Sequence, residues 1–187
     1  DVTGAAETGG LIGYLLSGIV MNSYSSGIVT GATSTGGLLG TTTSGTISSS
    51  YSKASVTGAS AAGGLVGTLA ADAAQIIDSY ASGKVHSPGA GAGGLVSTVS
   101  VTTASVDNSY SSGAVTAASG AGGLVGIGGA SSTSNSFWDK EASGLTTSTA
   151  GVGLTTAQMK DQLNFTTSTT ANGSVNPNWD FVSKWVM

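Results

Sequence analysis

The sequence predicts an all-β chain: a right-handed parallel β-helix of about five coils of 27–30 residues, with a C-terminal capping segment that contains one short helix. Three phrases that recur in step predict it. The first is Gly9-Gly10-Leu11, repeated as Gly36-Gly37-Leu38, Gly63-Gly64-Leu65, Gly93-Gly94-Leu95 and Gly122-Gly123-Leu124. Its leucines stand 27, 27, 30 and 29 residues apart. The second is a serine before an aromatic: Ser23-Tyr24, Ser50-Tyr51, Ser79-Tyr80, Ser109-Tyr110 and Ser136-Phe137. The third is a valine five residues after each tyrosine: Val29, Val56, Val85 and Val115. A repeat of this length cannot bury its own apolar face and needs neighbours stacked on it.

Composition narrows the class. The chain has 187 residues with 31 glycines, no cysteine, five lysines, no arginine and one histidine. Charged residues make up 7%, against about 25% in an average globular protein. Gly/Ser-rich tracts often stay disordered, but a flexible linker needs no phased Leu, Tyr and Val. A net charge of −4 with scattered lysines argues against nucleic acid. The absence of cysteine removes disulfides and thiolate metal sites. No apolar run approaches the length of a membrane span.

Each coil reads as three short strands. Asp1-Val2-Thr3-Gly4 matches the third phrase, so the chain opens mid-repeat and is expected to belong to a longer repeat array. The first strand of a coil is the Gly-Gly-Leu-hydrophobic segment. The second carries a β-branched residue four before the aromatic: Val20, Ile47, Ile76, Val106 and Thr133. The third is centred on the valine. Several glycines per repeat exclude a helical reading. Strand parity places Val20 and Tyr24 on one face and turns Ser23 and Ser25 outward. Leu11, Leu38, Leu65, Leu95 and Leu124 then form one internal ladder, and Tyr24, Tyr51, Tyr80, Tyr110 and Phe137 an internal aromatic ladder. Asn22, Ser49, Asp78, Asn108 and Asn135 form a polar ladder at a bend.

The coils differ in length. From leucine to aromatic the spacing is 13, 13, 15, 15 and 13. The two expanded coils gain residues within 67–76 and 97–106, and the extra residues, around Ala70, Asp72, Ser100 and Thr102, are expected on one side as a contact patch for a partner. Pro88-Gly89 adds one residue in another turn.

After Phe137 the period ends, which divides the chain into repeats 1–137 and a cap, 138–187, packed on the last coil. Thr155 with Gln158 forms a capping-box pattern and predicts the one short helix. Residues 164–178 read as loop. Trp179, Phe181, Val182, Trp185 and Val186 concentrate apolar surface to cover the open end of the solenoid.

These residues resemble the GLUG-motif repeats of large bacterial surface and secreted proteins, the filamentous-haemagglutinin-like β-helical exoproteins. The likeness is close in Gly36-Gly37-Leu38-Leu39-Gly40 and in Asn108-Ser109-Tyr110-Ser111-Ser112-Gly113-Ala114-Val115. It extends into Ser136-Phe137-Trp138-Asp139, Ser143-Gly144, Leu154-Thr155-Thr156-Ala157-Gln158-Met159 and Trp179-Asp180-Phe181, which are similar to segments that follow such repeats. Ser97 in place of the closing glycine, Ala54 in place of the glycine two before valine, and the long third and fourth coils depart from the pattern. The resemblance implies a β-helical stalk in an adhesin-like exoprotein, and it carries no assigned active site.

Chemistry is thinly represented. Glycoside hydrolysis needs two carboxylates across one cleft. Asp78 and Asp107 stand at different offsets from their tyrosines, and Asp139 and Glu141 lie together in the tail. His86 replaces threonine in the outward series Thr3, Thr30, Thr57, Thr116 and reads as a surface residue beside Lys84. Gly89, Gly91 and Gly94 fit a dinucleotide-loop spacing, but no helix pattern follows. The threonine rank could bind ice or a regular glycan, although threonine also suits strands in general.

The expectation is therefore a non-enzymatic structural and binding module, secreted or on a bacterial cell surface, without cofactor or metal. Its expected partners are further coils of a longer parent chain, a host receptor or glycan, and a second copy stacked on the N-terminal edge, including a filament. A carbohydrate-active β-helix enzyme and an ice- or glycan-binding threonine face are the alternatives.

Overall fold

A computed structural model describes the chain except for residues 72, 102, 129–131 and 186–187. Asp72, Thr102 and Val186 thus lie outside the described residues. The chain winds as a parallel β-solenoid of about five turns, with strands on three flanks.

The valine flank holds Val2–Thr3, Ile28–Gly31, Ser55–Gly58, Val85–Gly93 and Val115–Gly122. Its register runs Val2, Val29, Val56, Val85, Val115. Val29 through Val115 are buried, while Thr3, His86 and Thr116 of the neighbouring rank are exposed. This alternation is what a half-buried strand requires.

The broad flank holds the ten-residue strands Ile12–Met21 and Leu39–Ser48. The two strands expected separately in each coil are fused here. In the third coil they separate into Val66–Leu69 and Gln75–Ile77, and in the fourth into Val96–Val99 and Ser105–Asp107. The extra residues sit between those strands. Leu69 pairs with Val99 before the break and Gln75 with Ser105 after it, so both loops leave the same flank one above the other.

The leucines stand at the corner between these flanks. Each leucine N–H donates to the next leucine carbonyl at 2.9 Å, from Leu11 to Leu38, Leu65, Leu95 and Leu124. Leu38, Leu65, Leu95 and Leu124 are buried, whereas Leu11 is 52% exposed. The difference is positional: among the described residues the first coil has a neighbour on one side only.

The tyrosine flank holds Tyr24–Ser25, Tyr51–Ser52, Tyr80–Ala81, Tyr110–Ser111, Phe137–Asp139 and Val152–Leu154. Here parity fails. The tyrosines face outward, with Tyr24 64% exposed, and the residue after each tyrosine faces the core: Ser25, Ser52, Ala81 and Ser111 are buried. Ser50, Ser79, Ser109 and Ser136 are buried too. The cause is the corner before the serine. Asn22, Ser49, Asp78, Asn108 and Asn135 all adopt left-handed φ, between 47° and 50°. A residue in that conformation reverses the chain's facing, so a parity count cannot be carried through it. Phe137 alone is sealed, because the tail covers it.

The buried serines hold this corner. The Oγ of Ser50, Ser79, Ser109 and Ser136 each accepts the backbone N–H of the preceding coil's serine at 3.1–3.2 Å. Each also donates to the carbonyl two residues earlier, at 2.7–2.9 Å. The Ser-aromatic phrase is therefore a device for satisfying buried backbone groups at a bend.

Ser97 replaces the closing glycine where the corner is wider. The valine-flank register shifts between Ser87 and Ala90, at the Pro88-Gly89 insertion. The Ser97 hydroxyl donates to the Gly91 carbonyl at 3.1 Å in the room so made.

The C-terminal end is closed by a segment other than the aromatic tail. Residues 145–151 lie under the last coil. Gly123 N donates to Thr147 O at 3.1 Å, and Leu124 N and Val125 N both donate to Ser148 Oγ, at 3.1 and 3.0 Å. Leu145, Ala150 and Trp138 pack against the core above. Three one-turn helices follow or flank this segment rather than one: α1 (Lys140–Ser143), α2 (Thr156–Met159) and α3 (Leu163–Thr166). Helix α2 begins with the expected capping box of Thr155 and Gln158.

Candidate functional site

The tail that was expected over the end of the core lies instead along the tyrosine flank. Tyr24, Tyr51, Tyr80 and Tyr110 stack with ring centroids 5.3, 4.8 and 4.9 Å apart and planes within 12°. Coil spacing fixes these distances, since equivalent residues on paired strands repeat at about 4.7–4.9 Å. Trp185 then tilts against Tyr80 and Tyr110, at 6.4 and 5.7 Å. Trp179 stacks on Trp185 at 4.5 Å and reaches Phe137 at 5.8 Å.

Polar anchors fix the strap. The Trp179 indole N–H donates to the Asn135 carbonyl at 3.2 Å. The Asp180 carboxylate accepts the Ser183 hydroxyl and the Ser183 and Val182 N–H groups, the last two at 3.0 and 2.8 Å, and these bonds, the hydroxyl's first, hold its pKa below the usual value. Lys184 forms an ion pair with Asp78 in the corner ladder. That pair is partly exposed, so its worth is small; its effect is to set where the strap lies.

Between strap, solenoid and α2 is a cleft of about 520 Å³. Tyr110, Trp179, Phe181 and Trp185 supply the apolar wall, with Met159, Ser112 and Lys160 at its borders. Asp139 also reaches it, but its carboxylate is fully engaged. Oδ1 accepts Glu141 N and Ala142 N at 3.0 Å, capping α1, and the Thr156 hydroxyl donates to Oδ1 and Oδ2 at 2.8 Å. Asp139 is a structural acid. A second groove, about 390 Å³, runs beside Tyr51, Tyr80, Asp78 and Lys184.

Burial raises the phenol pKa of Tyr110 well above its usual value, and the neighbouring Tyr80 adds to the shift. Burial, then Tyr51, raises that of Tyr80. Both phenols stay protonated at neutral pH. The folded pKa exceeds the unfolded one, so stability is unaffected below the usual phenol value of 10.0 and falls as pH rises above it. Denaturant melts at pH 9 and pH 11 will show a steeper alkaline loss in the wild type than in Tyr110→Phe. Equal losses would remove Tyr110 as the cause.

The other residues singled out in the sequence do not converge. Ile77 pairs with Asp107, so Asp78 and Asp107 lie one register step apart. Asp78 accepts instead from Asn108 Nδ2 at 3.3 Å. His86 is exposed in the threonine rank and its Nδ1 lies 2.9 Å from Thr116 Oγ1. Among the described residues no three His, Cys, Asp or Glu side chains could hold a metal together. Of the loop patch, Ala70 is half-buried and Ser100 exposed; their N–H groups donate to Thr42 O and Leu69 O, at 2.8 and 2.9 Å. The cleft was not foreseen. Its signal in the sequence is the spacing Trp179, Phe181, Trp185.

Comparison with known proteins fits this geometry. Residues 58–85, one full coil from the end of one valine strand to the start of the next, match the model of the GLUG motif. One coil of the solenoid therefore matches the GLUG motif. The GLUG motif is not an enzymatic family, and such repeats occur in extracellular and secreted proteins in general. No curated protein matches the chain. Among solved structures it is similar to a provisionally assigned immunoglobulin A1 protease from Bacteroides ovatus, at 24% identity and a TM-score of 0.59. The likeness covers 64% of this chain and 40% of that protein, so the chain spans under half of its length. At that identity the likeness establishes the fold alone. No helix among the described residues is long and apolar enough to cross a membrane.

Proposed function

We propose that this GLUG-repeat solenoid is a non-enzymatic stalk and binding module of a secreted or surface-attached bacterial adhesin. The observation that carries the reading is the register: three parallel sheets repeat the same lateral faces coil after coil. Such a rod gains length in steps of about 4.8 Å and holds its outer faces rigidly. The loops around Ala70 and Asp72 and around Ser100 and Thr102 are the proposed contact patch, because two adjacent coils carry their extra residues between the same paired strands there.

Beads coated with the purified chain are expected to stay on epithelial cells or immobilised mucin about tenfold above albumin-coated beads, with a loss when both loops are cut to the short spacing. Retention equal to albumin, or a protein found only in the cytoplasm of the producing bacterium, would overturn the adhesin reading.

The first coil is the proposed docking edge for further coils of the same kind, supplied by the parent chain or by a second copy. Its outward positions carry Leu16, Ile19, Met21 and Ile28, which are 67, 70, 57 and 51% exposed. The second coil has Thr46, Ser48 and Ser55 opposite the last three, and Thr43 alongside Leu16. An apolar rim beside an unpaired strand edge favours association. Lysines intended to block it cannot go at Thr8, which is 5% exposed and donates to Ala6 O. Leu16→Lys with Ile19→Lys is the suitable pair. Sedimentation over a concentration series should show a self-associating wild type and a monomeric variant; a wild type monomeric throughout would end the proposal.

A further inference from the structure

The tyrosine ladder is covered at one end only. Trp185 lies against Tyr80 and Tyr110, and the tail seals Phe137. Among the described residues no aromatic of the strap reaches Tyr24 or Tyr51. Tyr24 is 64% exposed and Tyr51 half-buried, and their rings stack at 5.3 Å with planes 12° apart. The two residues are register partners on parallel strands. Equal side chains rising from equal positions set like carbon beside like carbon, so the carbons ortho to one hydroxyl stand beside their counterparts on the other ring.

Two phenols held in this way are arranged for oxidative coupling. A one-electron oxidant takes an electron and a proton from each phenol and leaves two phenoxyl radicals. Each radical carries part of its unpaired spin on the ortho carbons. Pairing of those spins forms one C–C bond between the rings. The hydrogen on each bonded carbon then moves to the oxygen, which restores two phenols. The protein loses two hydrogens in sum. Hydrogen peroxide, acting through a haem peroxidase, takes up both electrons and both protons and ends as two water molecules.

Freedom to turn selects the pair. Bonding requires the rings to leave the parallel stack and bring two ortho carbons together. Tyr24 has one ring neighbour and an open outer side, so it can turn onto Tyr51. Tyr80 is held between Tyr51 and Tyr110, with Trp185 against it. Tyr14 is 47% exposed but touches no other aromatic ring among the described residues.

We propose that Tyr24 and Tyr51 form an oxidative modification site, converted to dityrosine by hydrogen peroxide and a haem peroxidase. The product ties the first coil covalently to the second. Among the described residues the first coil has a neighbour on one side only, so it is the coil that such a link secures most. Selectivity comes from proximity, since partners held side by side react far more readily than partners that must find each other. The site does not depend on the adhesin reading. A chain that fails to hold beads on cells can still form this link.

The test treats the purified chain, at high dilution, with hydrogen peroxide and a haem peroxidase, and then isolates the monomer. That monomer should carry the blue emission of dityrosine. Elastase digestion of the denatured product, followed by tandem mass spectrometry, should place the link between residues 24 and 51. Tyr24→Phe and Tyr51→Phe keep a ring in the stack but remove one of the two phenols. Each should lower the dityrosine of the monomer about tenfold, because the remaining phenols lack a partner that is both stacked and free to turn. Tyr14→Phe should couple as the wild type does. Three outcomes overturn the proposal: a monomer without dityrosine, a yield that neither Tyr24→Phe nor Tyr51→Phe lowers, or a link between other tyrosines in equal amount.

Discussion

Gly64→Val destroys the stacking of the third coil on the fourth. A Cβ at Gly64 would stand 2.0 Å from the Gly94 carbonyl oxygen and 2.8 Å from the Ala81 Cβ. The first obstacle is the backbone of the neighbouring coil and the second is the far wall of the core, so no rotamer change relieves both. The Gly64 N–H already donates to Gly93 O at 3.1 Å, and separating the coils to admit a side chain breaks that bond together with the Leu65 to Leu95 bond beside it. Overpacking usually costs about 1–3 kcal/mol. Here backbone hydrogen bonds are lost as well, and the expected cost is about 4 kcal/mol or more. Chemical denaturation compares it with Thr57→Ala, on the half-buried outer rank, which should stay within about 0.5 kcal/mol. A valine variant that melts with the wild type would mean the glycine pair is not a contact between coils.

The same geometry explains which parts of the fold were legible. A Cβ on Gly37 or Gly94 would meet the next coil's Gly64 or Gly123 oxygen at 2.2 or 2.0 Å, so the Gly-Gly phrase is demanded wherever coils repeat. Period, coil number and the leucine and valine ladders follow from residues that each coil must supply. Facing on the tyrosine flank did not follow. A period-two count assumes continuous extended backbone, and Asn22, Ser49, Asp78, Asn108 and Asn135 interrupt it at left-handed φ. The signal was present in the polar ladder, since Asn and Asp tolerate that conformation best after glycine. Reading it as a facing switch would have placed the tyrosines outside.

The end cap was misassigned for a related reason. Hydrophobicity pointed to Trp179 and Trp185 as the cover, whereas the open strand edge needed hydrogen-bond partners more than apolar area. Ser148 supplies them, accepting from Leu124 and Val125. A Ser/Thr-rich segment such as 146–149 carries no hydrophobic signal, so its role appears only in three dimensions. The tryptophans were then free to cover the outward aromatic ladder, and that displacement is what creates the cleft.

Trp179→Ala should release the strap while leaving the solenoid standing. The ring is 6% exposed and packs 4.8 Å from Phe165, 5.8 Å from Phe137 and 4.5 Å from Trp185, with its N–H bonded to Asn135 O. Truncating a buried tryptophan costs about 3–5 kcal/mol. Among the described residues the strap's remaining ties to the coils are the Trp185 ring contacts and the Lys184–Asp78 pair, too little to offset that loss. The solenoid end is held separately, by Ser148, Thr149 and Leu145, none of which depends on the strap. Two signals separate the parts: far-ultraviolet circular dichroism reports the sheets, and Trp185 emission reports the strap. In Trp179→Ala the Trp185 contribution should shift to that of an exposed indole in the absence of denaturant, over the unshifted emission of buried Trp138, with the β-sheet signal retained. If instead both signals fail together at a lower denaturant concentration, the strap and the solenoid form one cooperative unit, and Phe137 and Phe165 belong to the core of the coils rather than to the seat of the strap.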